Sequence, residues 1–278
     1  MGGYLVAVAN EKETKRWNDA RWVAAWPDRE RLTEALTPHL LGVVTADAQS
    51  VQRVCDIGCG GGGLTVALGG AVGPTGRVVG IDISQPLIEL ARDRASQAGA
   101  PHLSFVVADV QTDGLGAEPF DLAVSQLGVM FFDEPLAAFG AIRSGLRREG
   151  RFVFACWQGV EHNPWHIGTA LRPFVPAPRL PAPGKSPDGP FSLGDDEYVR
   201  DVLGGAGFGD IESTAVEITA RAPASAVVDR SLLGFMGVPP ERLGEAESAL
   251  DAHLARFAVA GGAYEYPLAF RVYGAVNG

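Results

Sequence analysis

Between positions 51 and 157 the chain alternates short apolar runs with stretches of helical spacing. VQRVCDI (51–57), RVVGID (77–82), LSFVVAD (103–109), FDLAVSQ (120–126) and RFVFACW (151–157) are β-branched or aromatic runs bounded by glycine or polar residues, and they predict strands. Between them, Leu64, Ala67 and Leu68 precede Gly69-Gly70. Leu87, Leu90, Ala91 and Ala95 recur from an N-cap at Ser84 to a stop at Gly99. Leu136, Phe139, Ile142 and Leu146 predict a helix from about Pro135 to Arg147, closed by Gly150. Strands alternating with helices imply βαβ units and a parallel sheet, whose strands read as continuous apolar runs when both faces are buried. Ligands on such a sheet bind beyond the C-terminal strand ends. The segments to inspect are therefore 56–63, 82–84, 109–111, 125–132 and 157–166.

The flanks differ. Residues 11–44 predict a helical pair containing Trp17, Trp22 and Trp26. Residues 173–190 carry seven prolines and little periodicity, which predicts a loop or lid. A helix is expected over 195–208, an alternating strand over 210–220, and helices over 224–258 broken at Gly-Val-Pro-Pro (237–240). A last strand covers 264–275, with Pro267 placing it near an edge or a bulge. No internal repeat is present.

Composition narrows the function. The 278 residues carry 23 basic and 33 acidic side chains, a net charge of −10, whereas duplex nucleic acid or an anionic membrane calls for a basic surface. Cys55, Cys59 and Cys156 are too few for a disulfide scaffold and lack zinc-site spacing, so no metal is expected. The N-terminal stretch lacks a charged region before its short apolar segment, and no run approaches the ~20 apolar residues of a membrane span, so a cytoplasmic protein is expected. Only Lys12, Lys15 and Lys185 are lysines, and none lies in the sheet segment. Glycine is abundant, with 36 copies, and five of the six positions 58–63 are glycine.

Those glycines join a strand to a helix, where they admit positive φ and close approach of a ligand. Gly58, Gly60 and Gly63 fit G-x-G-x-x-G; Gly58, Gly60 and Gly62 fit the tighter G-x-G-x-G. Asp82 ends the next strand, 20 residues after Gly62, where an acid accepts bonds from ribose hydroxyls. Asp109 ends the third strand in the same way, a place suited to an adenine amino group. Asp56, Asp82 and Asp109 at three successive strand ends describe a nucleoside site with little provision for a pyrophosphate.

On these residues the chain resembles the class I S-adenosylmethionine-dependent methyltransferases. VCDIGCGGG, VVGIDIS and VVADVQ resemble the family's first three motifs; FDLAVSQLGVMFF and LRREGRFVFACW resemble its fourth- and fifth-strand segments. The match is good over about 50–160 and weaker to about 212, and is nearest to bacterial small-molecule enzymes related to quinone biosynthesis. Arg148-Glu149-Gly150 replaces the usual Pro-Gly-Gly, and Gln126 departs from many relatives. The resemblance implies a Rossmann-like α/β fold with a seven-stranded, mostly parallel sheet and helices on both faces. One domain is expected over 1–278: a helical cap (1–50), a cofactor-binding core (51–158), a lid, sixth strand and substrate cover (159–262), and a last strand (263–278). It further implies that Asp56, Gly58, Cys59, Gly60, Asp82, Ile83, Asp109, Val110 and Ser125 hold S-adenosylmethionine, with S-adenosylhomocysteine as product.

Methyl transfer is an in-line displacement that positioning alone can accelerate, aided by a base where the acceptor must lose a proton. His162 and His166 follow the fifth strand and are the candidate catalytic bases; each also reads as an ordinary hydrogen-bonded histidine. Trp22, Met130, Phe131 and Trp165 are candidate substrate walls, or else core. A small apolar or aromatic acceptor of secondary metabolism is expected, with no nucleic-acid or membrane partner and a homodimer through the cover helices. Two other readings remain open: an NAD(P)-dependent oxidoreductase, although no Tyr-x-x-x-Lys pair is present, and a non-catalytic S-adenosylmethionine-binding protein.

Overall fold

A computed structural model describes residues 10–45, 53–175, 189–227, 230, 233–234 and 236–278. Its central strand β1 (Arg53–Ile57) runs parallel to β2 (Arg77–Asp82) on one side and to β4 (Phe120–Gln126) on the other. β3 (Leu103–Val107) extends the first side, and β5 (Leu146–Trp157) the second. β6 (Gly209–Ala222) and β7 (Tyr264–Val276) complete a seven-stranded sheet in the order β3-β2-β1-β4-β5-β7-β6, with β7 antiparallel to both neighbours. This is the α/β architecture expected, mostly parallel and flanked by helices. Strand order reverses between β1 and β4, so a crevice opens beyond their C-terminal ends.

Burial explains why these runs form strands. Val54, Cys55, Val124 and Ala123 are fully buried at the sheet centre. On the β5 side, Phe139 meets Phe152 and Phe154 edge-on at 5.4 and 5.5 Å, and Phe154 stacks on Tyr273 at 5.0 Å. Each such ring contributes roughly 1.5–3 kcal/mol by leaving water. The edge strand β3 departs from the expectation of two buried faces: Val106 and Val107 are exposed, because only β2 flanks the strand.

The expected N-terminal pair is instead a chain of short helices: α1 (Glu11–Trp17), α2 (Ala20–Ala24), α3 (Trp26–Thr33) and α4 (Thr37–Thr45), with a 3-10 turn over Glu34–Leu36. Pro27 sits in the first turn of α3, a position that starts a helix rather than continuing one. Next come α5 (Gly63–Val72), α6 (Gln85–Gln97), α7 (Val110–Asp113) and α8 (Pro135–Ser144). The helix predicted to about Arg147 stops earlier: Gly145 caps α8 through its N–H, and Leu146 already pairs with Phe120 as a strand residue. Ser84 caps α6 as expected, accepting from the Leu87 N–H. The C-terminal half holds α9 (Gly168–Leu171), α10 (Asp196–Gly205) and α11 (Leu243–Leu254). Over 224–258 only α11 is an α-helix among the described residues, with 3-10 turns at Ala224–Ala226, Pro240–Arg242 and Ala255–Phe257. Most of the proline-rich segment, residues 176–188, lies outside the described residues, as do the ends of the expected cap.

β7 is an interior strand, yet Pro267 fits it. Pairing with β5 ends at Phe270, so Pro267 faces β6 alone and no ladder loses a donor. Just there, Asn163 closes the sheet end. Fully buried, it donates from Nδ2 to the carbonyls of Gln158 and Ala269, and its Oδ1 accepts from the Ala269 N–H and the Trp165 indole. Asn163→Ala orphans these groups and is expected to lower stability by about 2–4 kcal/mol in urea unfolding; a loss below about 0.5 kcal/mol would contradict this role.

Candidate functional site

The glycine loop and the end of β2 are bonded into one unit. Gly58, Gly60 and Gly62 adopt φ of +67°, +52° and +79°, so the tighter G-x-G-x-G spacing is the one that matters conformationally. The Gly58 and Cys59 N–H groups both donate to the Ile81 carbonyl, and the Gly62 N–H to the Cys59 carbonyl. The Gly60 N–H donates to Asp82 Oδ2 at 2.8 Å, and the Ser84 N–H donates to Oδ1 at 2.9 Å. Burial pushes the Asp82 carboxyl up, while these backbone bonds pull it back toward the charged form.

Asp56 stands behind the loop. It is buried, its Oδ2 accepts from the Thr65 hydroxyl at 2.6 Å, and its Oδ1 has no partner among the described residues. Burial raises its pKa to about 7, with the Asp82 charge adding to the rise. Cys59 is buried against Ile88, Ala91 and Phe105, and Ser125 donates to the Ile57 carbonyl at 2.7 Å.

A cavity of about 340 Å³ opens beyond the strand ends, within the usual size for small-molecule sites. Of the sequence-predicted cofactor residues, Gly58, Asp82, Ile83, Asp109 and Val110 line it. Asp56, Cys59, Gly60 and Ser125 do not; they shape the loop from behind. All four predicted substrate walls, Trp22, Met130, Phe131 and Trp165, face the cavity. His166 lines it, but His162 does not: its ring is half-exposed on a 3-10 turn, 3.8 Å from Glu161. A base role at the cavity therefore loses His162.

The helical cap supplies the rest of the wall. Trp17 meets Trp22, Trp26 and Phe131 edge-on at 5.6, 6.3 and 5.3 Å. Trp26 lies on the glycine loop so closely that a Cβ at Gly60 would stand 2.2 Å from its ring. The Arg29 guanidinium sits 3.8 Å over Trp22. The cap is pinned by the Ser84 hydroxyl to the Trp17 carbonyl, by Arg94 to both oxygens of Glu30, and by Gln126, which accepts from Thr37 and donates to the Thr33 carbonyl.

Asn10 was missed by sequence reading. Its Nδ2 donates to both oxygens of Asp109 at 2.9 Å, and its Oδ1 accepts from the Asp133 N–H. Partners 99 and 123 residues away leave no local signature; the one hint is an asparagine before a helix, here at φ +55°. Gln126, Leu127 and Gly128 also line the cavity. Among the described residues no cluster of His, Cys, Asp or Glu could hold a metal, and no helix is long and apolar enough to cross a membrane.

Residues 48–167 match the protein family described as "Methyltransferase domain". The match takes in β1 to β5 and is to less than half of the chain. Aklanonic acid methyltransferase DauC of Streptomyces sp. is 37% identical over 103 residues, which cover 37% of this chain and 47% of that protein. The ubiquinone/menaquinone biosynthesis C-methyltransferase UbiE of Pseudomonas putida is 32% identical over 124 residues, 44% of this chain and 46% of its own. The matched stretch thus spans about half the length of these curated relatives. Among solved structures, magnesium protoporphyrin IX methyltransferase (ChlM) from Synechocystis PCC 6803, with bound SAH, shares the fold at a TM-score of 0.56, covering 95% of this chain and 98% of its own at 15% identity. The family match ends at Ile167, on the cavity wall, so it includes the Asp82 loop and excludes the Trp-rich cap.

The raised Asp56 pKa has a stability signature. The folded domain holds a proton that the unfolded chain loses near pH 4, so this group's contribution falls as pH rises from about 4 to 7 and is level above that. Asp56→Asn keeps the neutral shape. Its melting temperature relative to wild type is expected to climb across that window in calorimetric scans; parallel curves would contradict the assignment.

Proposed function

We propose that the chain is an S-adenosylmethionine-dependent methyltransferase acting on a small apolar or aromatic acceptor. One observation carries the reading: Asp82, held by the Gly60 and Ser84 amides at the end of β2, opens on an apolar, tryptophan-walled cavity. The chemistry of the loop supports a nucleoside over a dinucleotide. The N–H groups of Gly58, Cys59, Gly60 and Gly62 are already spent within the fold, so the loop offers a pyrophosphate little of the amide cradle it would need. Asp82 and Asp109, by contrast, are acceptors suited to hydroxyl and amino donors.

The residues present fit the cofactor. Asp82 would hold the ribose hydroxyls, Ile83 and Val110 would flank the base, Asp109 would take its amino group, and Gly58 would let the backbone approach. When bound, S-adenosylmethionine supplies an electrophilic methyl on a sulfonium. The chain's part is to orient the acceptor and keep water out. Trp17, Trp22, Phe131 and Trp165 form apolar walls, and an apolar surround favours a step in which the sulfonium's positive charge is lost. The names of the relatives, which refer to aklanonic acid and to ubiquinone and menaquinone biosynthesis, support a small-molecule acceptor.

Calorimetry with S-adenosylhomocysteine tests the reading. Wild type is expected to bind it in preference to NADH. Asp82→Ala should weaken binding by roughly 10–100-fold, equivalent to about 1–3 kcal/mol for hydrogen bonds to a charged group. Unchanged affinity in the variant, or tight NADH binding without S-adenosylhomocysteine binding, would refute it.

A further inference from the structure

Away from Asp82 and Asp109, most polar groups on the cavity wall are committed, the Trp22 and Trp26 indole N–H groups excepted, which are buried and unpartnered among the described residues. Gln126 is used at both ends of its amide, Glu13 pairs with Arg16 at 3.1 Å, and the Trp165 indole N–H is taken by Asn163. His166 differs. Its Nδ1 accepts the Gly168 N–H at 3.1 Å, a bond that starts the turn into α9. A neutral imidazole whose Nδ1 accepts must carry its proton on Nε2. No described residue takes that proton, although the ring lines the cavity. The ring is also fixed, standing edge-on to Phe191 at 4.9 Å and 87° and to Trp165 at 6.1 Å and 74°. The opposite tautomer would set an Nδ1–H against the Gly168 N–H, donor against donor.

We propose that His166 is a neutral hydrogen-bond donor that recognises an acceptor oxygen, a ketone, quinone or carboxyl C=O, on a flat apolar substrate, and that it is not the general base. Its environment keeps it neutral. Burial pulls its basicity down to about 4, and His253 on α11 adds in the same direction. His253 is itself shifted down by burial and lies against Arg256, so the charge bearing on the ring from this side is positive. Nearby, Met130, Trp157, Ile167 and Met236 supply apolar wall for a flat body. The proposal rests on the methyltransferase reading only in taking this ligand to be the methyl acceptor.

The test uses two probes of one shape: 2-acetylnaphthalene, whose only polar atom is a carbonyl oxygen, and 2-isopropenylnaphthalene, in which a methylene replaces that oxygen. Their affinities are measured by calorimetry with and without S-adenosylhomocysteine, for wild type, H166N and H166Q. An Asn oxygen can still accept from Gly168 but places nothing at the Nε2 position; a Gln amide reaches that position and can donate there. H166N is expected to cut the ketone-to-hydrocarbon preference by about tenfold, one hydrogen bond's worth. H166Q should keep it within about threefold, and the wild-type preference should be flat from pH 5.5 to 8.5. Melting curves confirm folding of each variant, and the pH series needs no variant. Equal preference in wild type and H166N, a wild-type preference that titrates away near pH 6, or no binding of either probe would overturn the proposal. Absence of S-adenosylhomocysteine binding with the carbonyl preference intact would instead sink the methyltransferase reading alone.

Discussion

The site depends on one carboxylate. Asp82 accepts from the Gly60 amide on the loop after β1 and from the Ser84 amide at the start of α6. A buried carboxylate without such donors would be costly. Here the bonds serve two ends, fixing the glycine loop against β2 and leaving the carboxylate facing the cavity. The Gly58 and Cys59 amides on the Ile81 carbonyl complete the clamp. A loop whose amides are turned inward in this way has little left for a phosphate.

Over this clamp lies a cover of aromatic rings. Trp26 rests on loop backbone that only glycine leaves open, and Trp17 bridges Trp22, Trp26 and Phe131. The cap shares the main core through the buried Leu32, Leu36, Leu40 and Val44, and polar clips add to that packing: Gln126 to α3 and α4, Arg94 to Glu30, Asn10 to Asp109. The end of the cavity at Asp82 and Asp109 and its apolar end therefore belong to different parts of the chain. One is set by the sheet, and the other by the cap and the turns after β5. The family match covers β1 to β5 and stops at the first residues of the far wall, leaving out the cap, β6 and β7.

The sheet and its strand-end acids were legible because they are local signals. Apolar runs, a glycine cluster and an aspartate at or just past the end of each of the first three strands can each be read within a few residues. The features that escaped depend on long-range partners. Asn10 and Asn163 act through groups about 100 residues away, so their types and spacing show nothing. Leu146 fits the helical period of α8 but is taken by Phe120 across the sheet, a tertiary pairing that overrides the pattern. His162 and His166 look equivalent in sequence. The 3-10 turn after β5 carries His162 and leaves it half-exposed, while His166 beyond it is seated against Phe191, and only the fold decides which.

The central claim is that the β1 loop and Asp82 hold an adenosyl group facing the tryptophan-walled cavity. A crystal structure of the complex with S-adenosylhomocysteine tests it most directly. The account predicts ribose hydroxyls within hydrogen-bonding distance of the Asp82 carboxylate and the sulfur turned toward the aromatic wall. Ligand density elsewhere on the molecule, or an adenosyl group making no contact with Asp82, would contradict it.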